Sequence, residues 1–282
     1  MMAITKVIIP AAGLGTRFFP WSKSMPKELL PLGAYPAMAH VVHEAIRSGC
    51  TSVLMIAGAR KSSLIDYFEK SDLPATFVYI PQPEPKGVGH AVCMARSIVA
   101  DDYFAVMLPD ELIFSNEPCL GKLIAISERE HACVVAVHKV PASEVSAYGV
   151  IGIQREITPT LFEVNELIEK PKSEKSPSCY ALVGRYVLPR SVFDHLATVG
   201  PGAKGEIQLT DGIAQLLNSG VRVLAHVIDG ARYDVGNPLG WMKAVIRFGV
   251  DHPQYGDDIK QFISEQILPV MSVEQNAKIS SL

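Results

Sequence analysis

A small-residue loop followed by two cations suggests a site for a polyphosphate. Gly13 and Gly15 come directly after the apolar run 7–9, so the backbone can turn sharply and approach a ligand there. Arg17 follows in the same loop, and Lys27 comes ten residues later between two prolines. Backbone N–H groups and cations are the donors that phosphates prefer. A bare G-x-G would favour an ordinary glycine turn with solvated basic residues, but the two cations favour a phosphate site.

Two common nucleotide-binding patterns do not fit this loop. It does not follow the P-loop pattern G-x-x-x-x-G-K-[ST]. It also fails the dinucleotide pattern G-x-G-x-x-G, because Phe18 occupies the third glycine position. The acidic residue expected roughly 20 residues further on for a dinucleotide ribose is missing, since Gly33 and Ala34 stand there. A dehydrogenase is therefore disfavoured.

Alternating strand and helix patterns over the first 130 residues must position this loop. Apolar β-branched runs predict buried strands, whereas apolar residues at i, i+3, i+4 and i+7 predict helices. The predicted strands are 7–9, 52–57, 76–80 and 103–108, and the predicted helices are 35–49, 61–70 and 87–99. Such alternation is typical of a parallel sheet that helices cover on both faces. Ligands bind at the carboxyl ends of such strands, so the loops at Gly13, Gln82 and Asp110 should line one edge.

After about residue 133 the pattern becomes less regular. Further strands are predicted at 133–138, 148–153, 163–168, 180–188 and 221–228, and helices at 190–197, 206–217, 238–248 and 259–267. The last helix places Ile259, Phe262, Ile263 and Ile267 on one face, so we expect that face to pack against something, such as another subunit. The polar segment from about residue 271 predicts a frayed tail.

Composition limits the class of protein. Of the 282 residues, 48% are hydrophobic and 20% charged, which are ordinary values for a globular chain. The net charge of −3 provides no global basic field, so no nucleic-acid partner is expected. The five cysteines form no C-x-x-C pair, which favours reduced thiols and a cytoplasmic location. We find no secretory signal and no apolar run of roughly 20 residues, so no membrane partner is expected.

A series of motifs resembles the sugar-1-phosphate nucleotidylyltransferase family over about residues 4–265. The motifs stand in the family's order: G-L-G-T-R at 13–17, P-K-E-L-L-P at 26–31, G-V-G-H-A at 87–91, L-P-D at 108–110, A-Y-G-V at 147–150, E-K-P at 169–171, V-G-R-Y at 183–186, E-I-Q-L-T-D at 206–211 and D-V-G-N at 234–237. Each motif is weak alone, but the ordered set is specific. Within the family, the branch that transfers uridylyl groups in bacteria is the most similar.

The resemblance implies an α/β fold of the nucleotide-diphospho-sugar transferase type, a Rossmann-like mixed, mainly parallel sheet flanked by helices. It implies one nucleotidyltransferase domain over 1–270, with a nucleotide-binding half at about 1–130, a sugar-phosphate-binding half at about 131–240, C-terminal helices at about 241–270 and a tail at 271–282. The implied substrates are UTP and glucose 1-phosphate, and the implied products are UDP-glucose and pyrophosphate. The family also implies a homo-oligomer, either a dimer or a tetramer.

The resemblance assigns roles to individual residues. Arg17, Lys27 and Lys170 would be catalytic. The nucleotide would contact Ala11, Ala12, Gly13, Gly15, Thr16, Gln82 and Gly87, and the sugar phosphate would contact Gly149, Glu169 and Gly184. Asp110 and Asp234 would hold Mg²⁺. Each of these aspartates follows an apolar strand, and Mg²⁺ commonly takes one or two carboxylates together with phosphate oxygens.

Alternatives to this function remain open at the level of sequence. The connection at 69–75 is short, as in the related thymidylyltransferases, so glucose-1-phosphate thymidylyltransferase or another sugar-1-phosphate nucleotidylyltransferase is an alternative. Three motifs argue against the thymidylyltransferase branch. That branch has G-G-x-G-T-R, S-K-Q and G-D-N, where this chain has A-G-L-G-T-R, P-K-E and P-D-E, respectively. A non-catalytic, regulatory homologue should have lost phosphate or metal groups, which are present here. The motif at 206–211 would serve either the sugar side or a subunit contact, and His90 is interpreted as structural.

Overall fold

The apolar run after the N-terminus forms β1, Lys6–Ala11, in a computed structural model that describes residues 3–58, 61–202 and 205–270. Val7 and Ile9 pack into one apolar cluster and Ile8 packs into another, because successive side chains of a strand point to opposite faces. All three are fully buried. The strand therefore lies between two cores, each formed by helices that pack on one face of the sheet.

Helices and strands alternate through most of the described chain. The remaining strands are β2 Pro31–Leu32, β3 Tyr35–Pro36, β4 Ser52–Ala57, β5 Thr76–Pro81, β6 Tyr103–Met107, β7 Glu111–Phe114, β8 Cys133–Lys139, β9 Gly149–Thr158, β10 Leu161–Glu169, β11 Tyr180–Pro189, β12 Val223–Val227 and β13 Ala231–Asp234. The helices are α1 Ala37–Arg47, α2 Ser62–Glu69, α3 Val88–Cys93, α4 Cys119–Glu130, α5 Val192–Thr198, α6 Leu209–Asn218, α7 Pro238–Val250 and α8 Gly256–Phe262.

Nine of the strands form one mixed sheet in the order β5-β4-β1-β6-β11-β8-β12-β10-β9. Strands β5, β4, β1 and β6 are parallel, as are β8 and β12. Strand β11 is antiparallel to both β6 and β8, and so joins the first half of the chain to the second. The predicted α/β fold with a mixed sheet between helices is confirmed. The predicted division into two halves and C-terminal helices stays a prediction.

Two predicted helices are shorter than the sequence pattern indicated. Helix α3 ends at Cys93, not at residue 99, because the chain tightens there into turns with hydrogen bonds between residues three apart, such as Arg96 N–H to Cys93 O at 3.1 Å. Helix α6 begins at Leu209, not at residue 206. The backbone of Ile207 instead makes hydrogen bonds to the segment around α3: its N–H donates to Lys86 O, and its carbonyl accepts from the N–H of Gly89.

A separate two-stranded sheet brings two distant aspartates together. Strand β7 pairs antiparallel with β13, and the register places Glu111 opposite Asp234. Asp110 immediately precedes β7, and the N–H of Val235 donates to the Asp110 carbonyl at 2.8 Å. The sequence interpretation did not anticipate β7. This pairing positions Asp110 beside Asp234, although they lie in different parts of the chain.

A fully buried arginine supports the segment that carries Asp110. The guanidinium of Arg185, on β11, is 0% exposed and forms an ion pair with Glu44 of α1, with Nη2 to Oε2 at 2.8 Å. The same group donates to the carbonyl of Glu111 at 2.7 Å, and more weakly to that of Leu108 at 3.4 Å. A buried charge is stable only when it is paired and hydrogen-bonded. Arg185 therefore connects α1, β11 and the turn that precedes β7.

The C-terminal helices expose part of the predicted apolar face. Ile259 packs against α7, since a Cβ on Gly249 would lie 3.1 Å from its Cδ1 atom. Phe262 and Ile267 remain 48% and 41% exposed, so packing of another subunit against them stays a prediction. None of the five cysteines is in a disulfide. Among the described residues, no helix combines the length and apolarity needed to cross a bilayer.

Candidate active site

A cleft of about 530 Å³ opens at the carboxyl ends of the central strands and draws its walls from both halves of the chain. Eleven of the residues predicted for the site line it: Ala12, Gly13, Arg17, Lys27, Gln82, Gly87, Asp110, Gly149, Glu169, Lys170 and Asp234. The loops after β1, β5 and β6 thus meet at one edge, as the parallel arrangement predicted.

Four predicted site residues do not line the cleft. Ala11 is buried at the end of β1, and Thr16 is exposed in the turn before Arg17. Gly15 has φ +65°, and a Cβ there would lie 3.4 Å from Lys27 Cβ, so this glycine lets the loop fold back on Lys27. Gly184 does not line the cleft, and a Cβ there would meet Leu108 Cβ at 2.9 Å, so its expected approach to the sugar stays a prediction. This glycine permits close packing below the cleft.

The glycine loop is held in place by its own contacts and by α7. Ser22 Oγ donates to Gly15 O at 2.6 Å, and Phe18 is buried beneath the turn. Trp21 makes an edge-to-face contact with Trp241 of α7, with ring centroids 5.6 Å apart. Arg17 is exposed and makes no hydrogen bond or ion pair with any described residue. Its guanidinium can therefore bind an anion at the mouth of the cleft.

Lys27 and Asp110 form an ion pair at the floor of the cleft, with Nζ to Oδ2 at 2.5 Å. Burial alone would lower the pKa of Lys27, but the carboxylates of Asp110 and Glu28 outweigh it and raise that pKa above its ordinary value. Burial likewise favours the neutral form of Asp110, but the Lys27 ammonium reverses this effect and lowers the pKa of the carboxyl. Both groups are therefore charged at neutral pH.

The two aspartates fit a divalent cation that completes its shell with phosphate oxygens. A Cβ on Gly236 would lie 2.6 Å from Asp110 Oδ2 and 3.0 Å from Asp234 Oδ1, so both carboxylates face the space that this glycine leaves free. Asp234 Oδ1 also accepts from the N–H of Gly236 at 2.8 Å, which fixes its orientation. Among the described residues, no group of three or more His, Cys, Asp or Glu could hold a metal. Two carboxylates suit Mg²⁺, which keeps open positions for phosphate and water.

The sugar side of the cleft contains the E-K-P motif. Lys170 Nζ lies 2.9 Å from Glu169 Oε1, and Thr210 Oγ1 donates to Glu169 Oε2 at 2.8 Å. A Cβ on Gly149 would lie 2.8 Å from that hydroxyl, so this glycine leaves room for the Thr210–Glu169 bond. Lys170 has φ +49°, a conformation that costs a residue with a Cβ on the order of 1 kcal/mol and is often found at functional sites. Its ammonium is half-exposed and directed by Glu169.

The motif at 206–211 belongs to the site. Glu206, Gln208, Leu209 and Thr210 line the cleft. Gly87 has φ +99°, and a Cβ there would be 2.5 Å from Ile207 O, so only glycine fits between this motif and α3. The sequence alone did not decide whether this motif serves the sugar side of the site or a contact with another subunit. Its position in the cleft wall favours the sugar side.

Gln82, which is buried, and His90, which is half-buried, form a polar pair beside Gly87. Gln82 is 3% exposed, and its Nε2 atom lies 2.6 Å from His90 Nδ1 and 3.5 Å from the carbonyl oxygen of Gly87. His90 follows on the first turn of α3. The interpretation of His90 as structural did not anticipate its contact with Gln82, which was expected to contact the nucleotide.

Sequence reasoning also missed two buried ion pairs near the cleft. Glu28 is 2% exposed and pairs with Lys61, while its Oε1 atom has no hydrogen-bond partner in the structure. Arg232 of β13 donates twice to Glu111, at 2.5 and 2.6 Å, and lies 4.8 Å from the ring centre of Tyr148. Tyr148 lines the sugar side. The only signals in the sequence were that Glu28 and Tyr148 stand inside motifs.

Known proteins resemble this chain in sequence and in fold. The Nucleotidyl transferase family profile matches residues 6–246. A UTP–glucose-1-phosphate uridylyltransferase 2 of Staphylococcus saprophyticus is 39% identical, and the match covers 94% of this chain and 99% of that protein. A solved structure of UTP-bound UGPase from Acinetobacter baumannii has a TM-score of 0.86 at 33% identity, over 94% of this chain and all of that one.

A second solved structure, UDP-glucose pyrophosphorylase complexed with UDP-glucose, has a TM-score of 0.83 at 33% identity and covers 87% of this chain and 98% of its own. The family profile thus extends over most of the chain, from the glycine loop to α7. The relatives span nearly the whole chain as well. The chain therefore belongs to the nucleotidyl transferase family.

Proposed function

We propose that this enzyme transfers the uridylyl group of UTP to glucose 1-phosphate, giving UDP-glucose and pyrophosphate. The observation that carries the proposal is the cleft itself. The Gly13 loop with Arg17 and Lys27 forms one wall, Glu169 and Lys170 form the other, and the Asp110–Asp234 pair lies in the same cleft. The uridylyltransferases and UDP-glucose complex described above support the choice of substrates.

The reaction needs little covalent chemistry from the protein. An oxygen of the glucose 1-phosphate attacks the α-phosphorus of UTP, and the bond from that phosphorus to the bridging oxygen of pyrophosphate breaks. The nucleophile is already ionised at neutral pH, so no general base is required. The protein must bring two polyanions together in line and stabilise the charge of the leaving group.

Different residues of the cleft bind the two substrates and the metal. Arg17 and the backbone of the Gly13 loop bind the β- and γ-phosphates, while Lys27 acts near the α-phosphate. Lys170 binds the phosphate of the sugar substrate, and Glu169 accepts from glucose hydroxyl groups. Asp110 and Asp234 would hold Mg²⁺, which when bound supplies positive charge to the nucleotide phosphates.

A substrate screen tests the proposed function directly. Pyrophosphate release is measured with UTP, dTTP, CTP, ATP and GTP, each paired with glucose 1-phosphate and with other sugar 1-phosphates. We expect the highest kcat/KM for UTP with glucose 1-phosphate, because relatives over nearly the whole chain carry that activity in their names. A higher value for dTTP would instead support a thymidylyltransferase. Binding of UDP-glucose without turnover of any pair would support a non-catalytic homologue.

Replacing Asp110 by asparagine tests the metal assignment. We expect the Mg²⁺ concentration that gives half-maximal rate to rise at least about tenfold, since even outer-sphere changes at metal sites cost 10–100-fold in affinity. Initial rates at saturating UTP are measured against free Mg²⁺, and calorimetry of UTP binding at each Mg²⁺ concentration gives a second readout. Asp102→Asn is the matched control, because this exposed aspartate lies at the other end of β6. An unchanged metal requirement in Asp110→Asn would exclude this residue as a ligand.

A further inference from the structure

We propose that His90 makes the cleft select uracil and thymine over cytosine, by fixing the orientation of the Gln82 amide. This inference rests on the proposed function and deepens it, since it names the residue that makes Gln82 selective. Gln82 alone could present either end of its amide to a base, because one end donates hydrogen bonds and the other accepts them. His90 contacts Gln82 but does not itself line the cleft, and it lines a shallow depression beside α3 instead.

The geometry around the amide leaves one orientation. The nitrogen end of Gln82 faces the carbonyl oxygen of Gly87 at 3.5 Å and His90 Nδ1 at 2.6 Å. A carbonyl can only accept, so the end that faces Gly87 must be the NH₂ group. Its second hydrogen then points to His90 Nδ1, which must accept it. The His90 ring is therefore the neutral tautomer that carries its proton on Nε2.

With both hydrogens of the amide nitrogen used, Gln82 can offer only its oxygen to the cleft. Oε1 makes no hydrogen bond with any other residue that the structure describes. The N–H of Gly87 likewise donates to none of the described residues. This wall of the cleft therefore presents an acceptor from Gln82 and a donor from the Gly87 backbone.

These two groups match the edge of one class of pyrimidine. Uracil and thymine carry a donor at N3 beside an acceptor at the C4 oxygen. Cytosine carries the reverse, with an acceptor at N3 beside an amino donor at C4. An amide whose oxygen is fixed toward the base bonds the imide N3–H and repels the cytosine N3. Release of the amide would let it rotate and donate to cytosine, so the part of the discrimination against CTP that Gln82 supplies depends on His90, whereas the part from the Gly87 N–H does not.

The test compares His90→Leu with His90→Asn. Leucine has no acceptor, whereas the Oδ1 atom of asparagine can occupy the place of His90 Nδ1, and the two side chains have the same number and branching of heavy atoms. We measure kcat/KM for UTP, CTP and dTTP with glucose 1-phosphate, and Kd for UTP and CTP by calorimetry. In His90→Leu the ratio of kcat/KM for UTP to that for CTP should fall about five- to tenfold, the effect expected for one neutral hydrogen bond. In His90→Asn it should stay within about threefold of the wild-type ratio.

The ratio of kcat/KM for UTP to that for dTTP distinguishes a change in base specificity from general damage to the structure. Uracil and thymine share the N3–H and C4 carbonyl edge, so this ratio should be unchanged in both variants. The nitrogen spectrum of ¹⁵N-histidine-labelled native protein, with His90 assigned by its loss in His90→Asn, should show the proton on Nε2. This measurement needs no folded leucine variant.

Three results would overturn the inference: an unchanged UTP-to-CTP ratio in His90→Leu, an equal loss of the ratio in both variants, or a proton on Nδ1 of His90. Failure of the proposed function has a different signature. In that case wild-type protein would form no UDP-glucose from UTP and glucose 1-phosphate, whatever residue stands at position 90.

Discussion

Replacement of Lys27 by alanine should lower kcat at least about a hundredfold, because one preorganised donor to a developing charge is typically worth on the order of 3–4 kcal/mol in the transition state. Lys27 is held at the floor of the cleft by Asp110, at 2.5 Å, and its raised pKa keeps it protonated at neutral pH. Its charge therefore needs little reorganisation when the leaving group departs. Turnover of UTP with glucose 1-phosphate is the measurement.

Arg17→Ala should lower kcat by a similar factor, because it too removes a donor to the phosphates. Arg17 has no protein partner among the described residues, so its alanine variant loses a phosphate ligand without leaving a buried charge unpaired. Lys23→Ala is the matched control for both variants, since Lys23 is exposed in the same loop and does not line the cleft. Near-wild-type turnover in a folded Lys27 or Arg17 variant would contradict the assignment of these cations to the phosphates.

Replacement of Arg185 by leucine should lower the free energy of unfolding by about 3–5 kcal/mol, because it leaves a buried carboxylate without its partner. Glu44 would lose three bonds from the guanidinium, and the carbonyl of Glu111 would lose its donor at 2.7 Å. Urea unfolding followed by circular dichroism measures the change. Activity should also fall, since the same arginine supports the turn that carries Asp110.

Arg96→Ala provides the comparison for Arg185. Arg96 pairs with Asp194 on the surface, where both side chains are at least half exposed, and such pairs contribute about 0–1 kcal/mol. If Arg185→Leu lowers the free energy of unfolding no more than Arg96→Ala does, the assigned role of the buried pair is contradicted. Replacement of both Glu44 and Arg185 by apolar residues should be less damaging than Arg185→Leu alone, because no charge is then left unpaired.

The parallel part of the sheet, and the loops that it brings together, could be predicted from sequence. Apolar β-branched runs such as 7–9 and 52–57 have a local signal, and parallel strands must end at a common edge. Gly13, Gln82 and Asp110 therefore lie around one cleft, as expected. The residues that line the sugar side were found through motifs, since Glu169 and Lys170 alone resemble an exposed ion pair.

Long-range pairing accounts for most of what the sequence did not reveal. The contact between Glu111 and Arg232 joins residues 121 positions apart, and no local periodicity encodes it. Gly184 illustrates a different limit. A glycine with positive φ signals close approach of something to the backbone, but the sequence cannot say whether that is a ligand or, as here, the side chain of Leu108.

The contact between Trp21 and Trp241 gives the native chain a built-in optical reporter. These are the two tryptophans of the sequence, and they touch across the boundary between the glycine loop and α7. Tryptophan emission from the unmodified protein therefore arises from a single place. Because the segment between Gly15 and Lys27 carries Trp21, any shift of the glycine loop against α7 changes the surroundings of both rings at once. Stopped-flow fluorescence can then follow that loop during turnover without an attached dye.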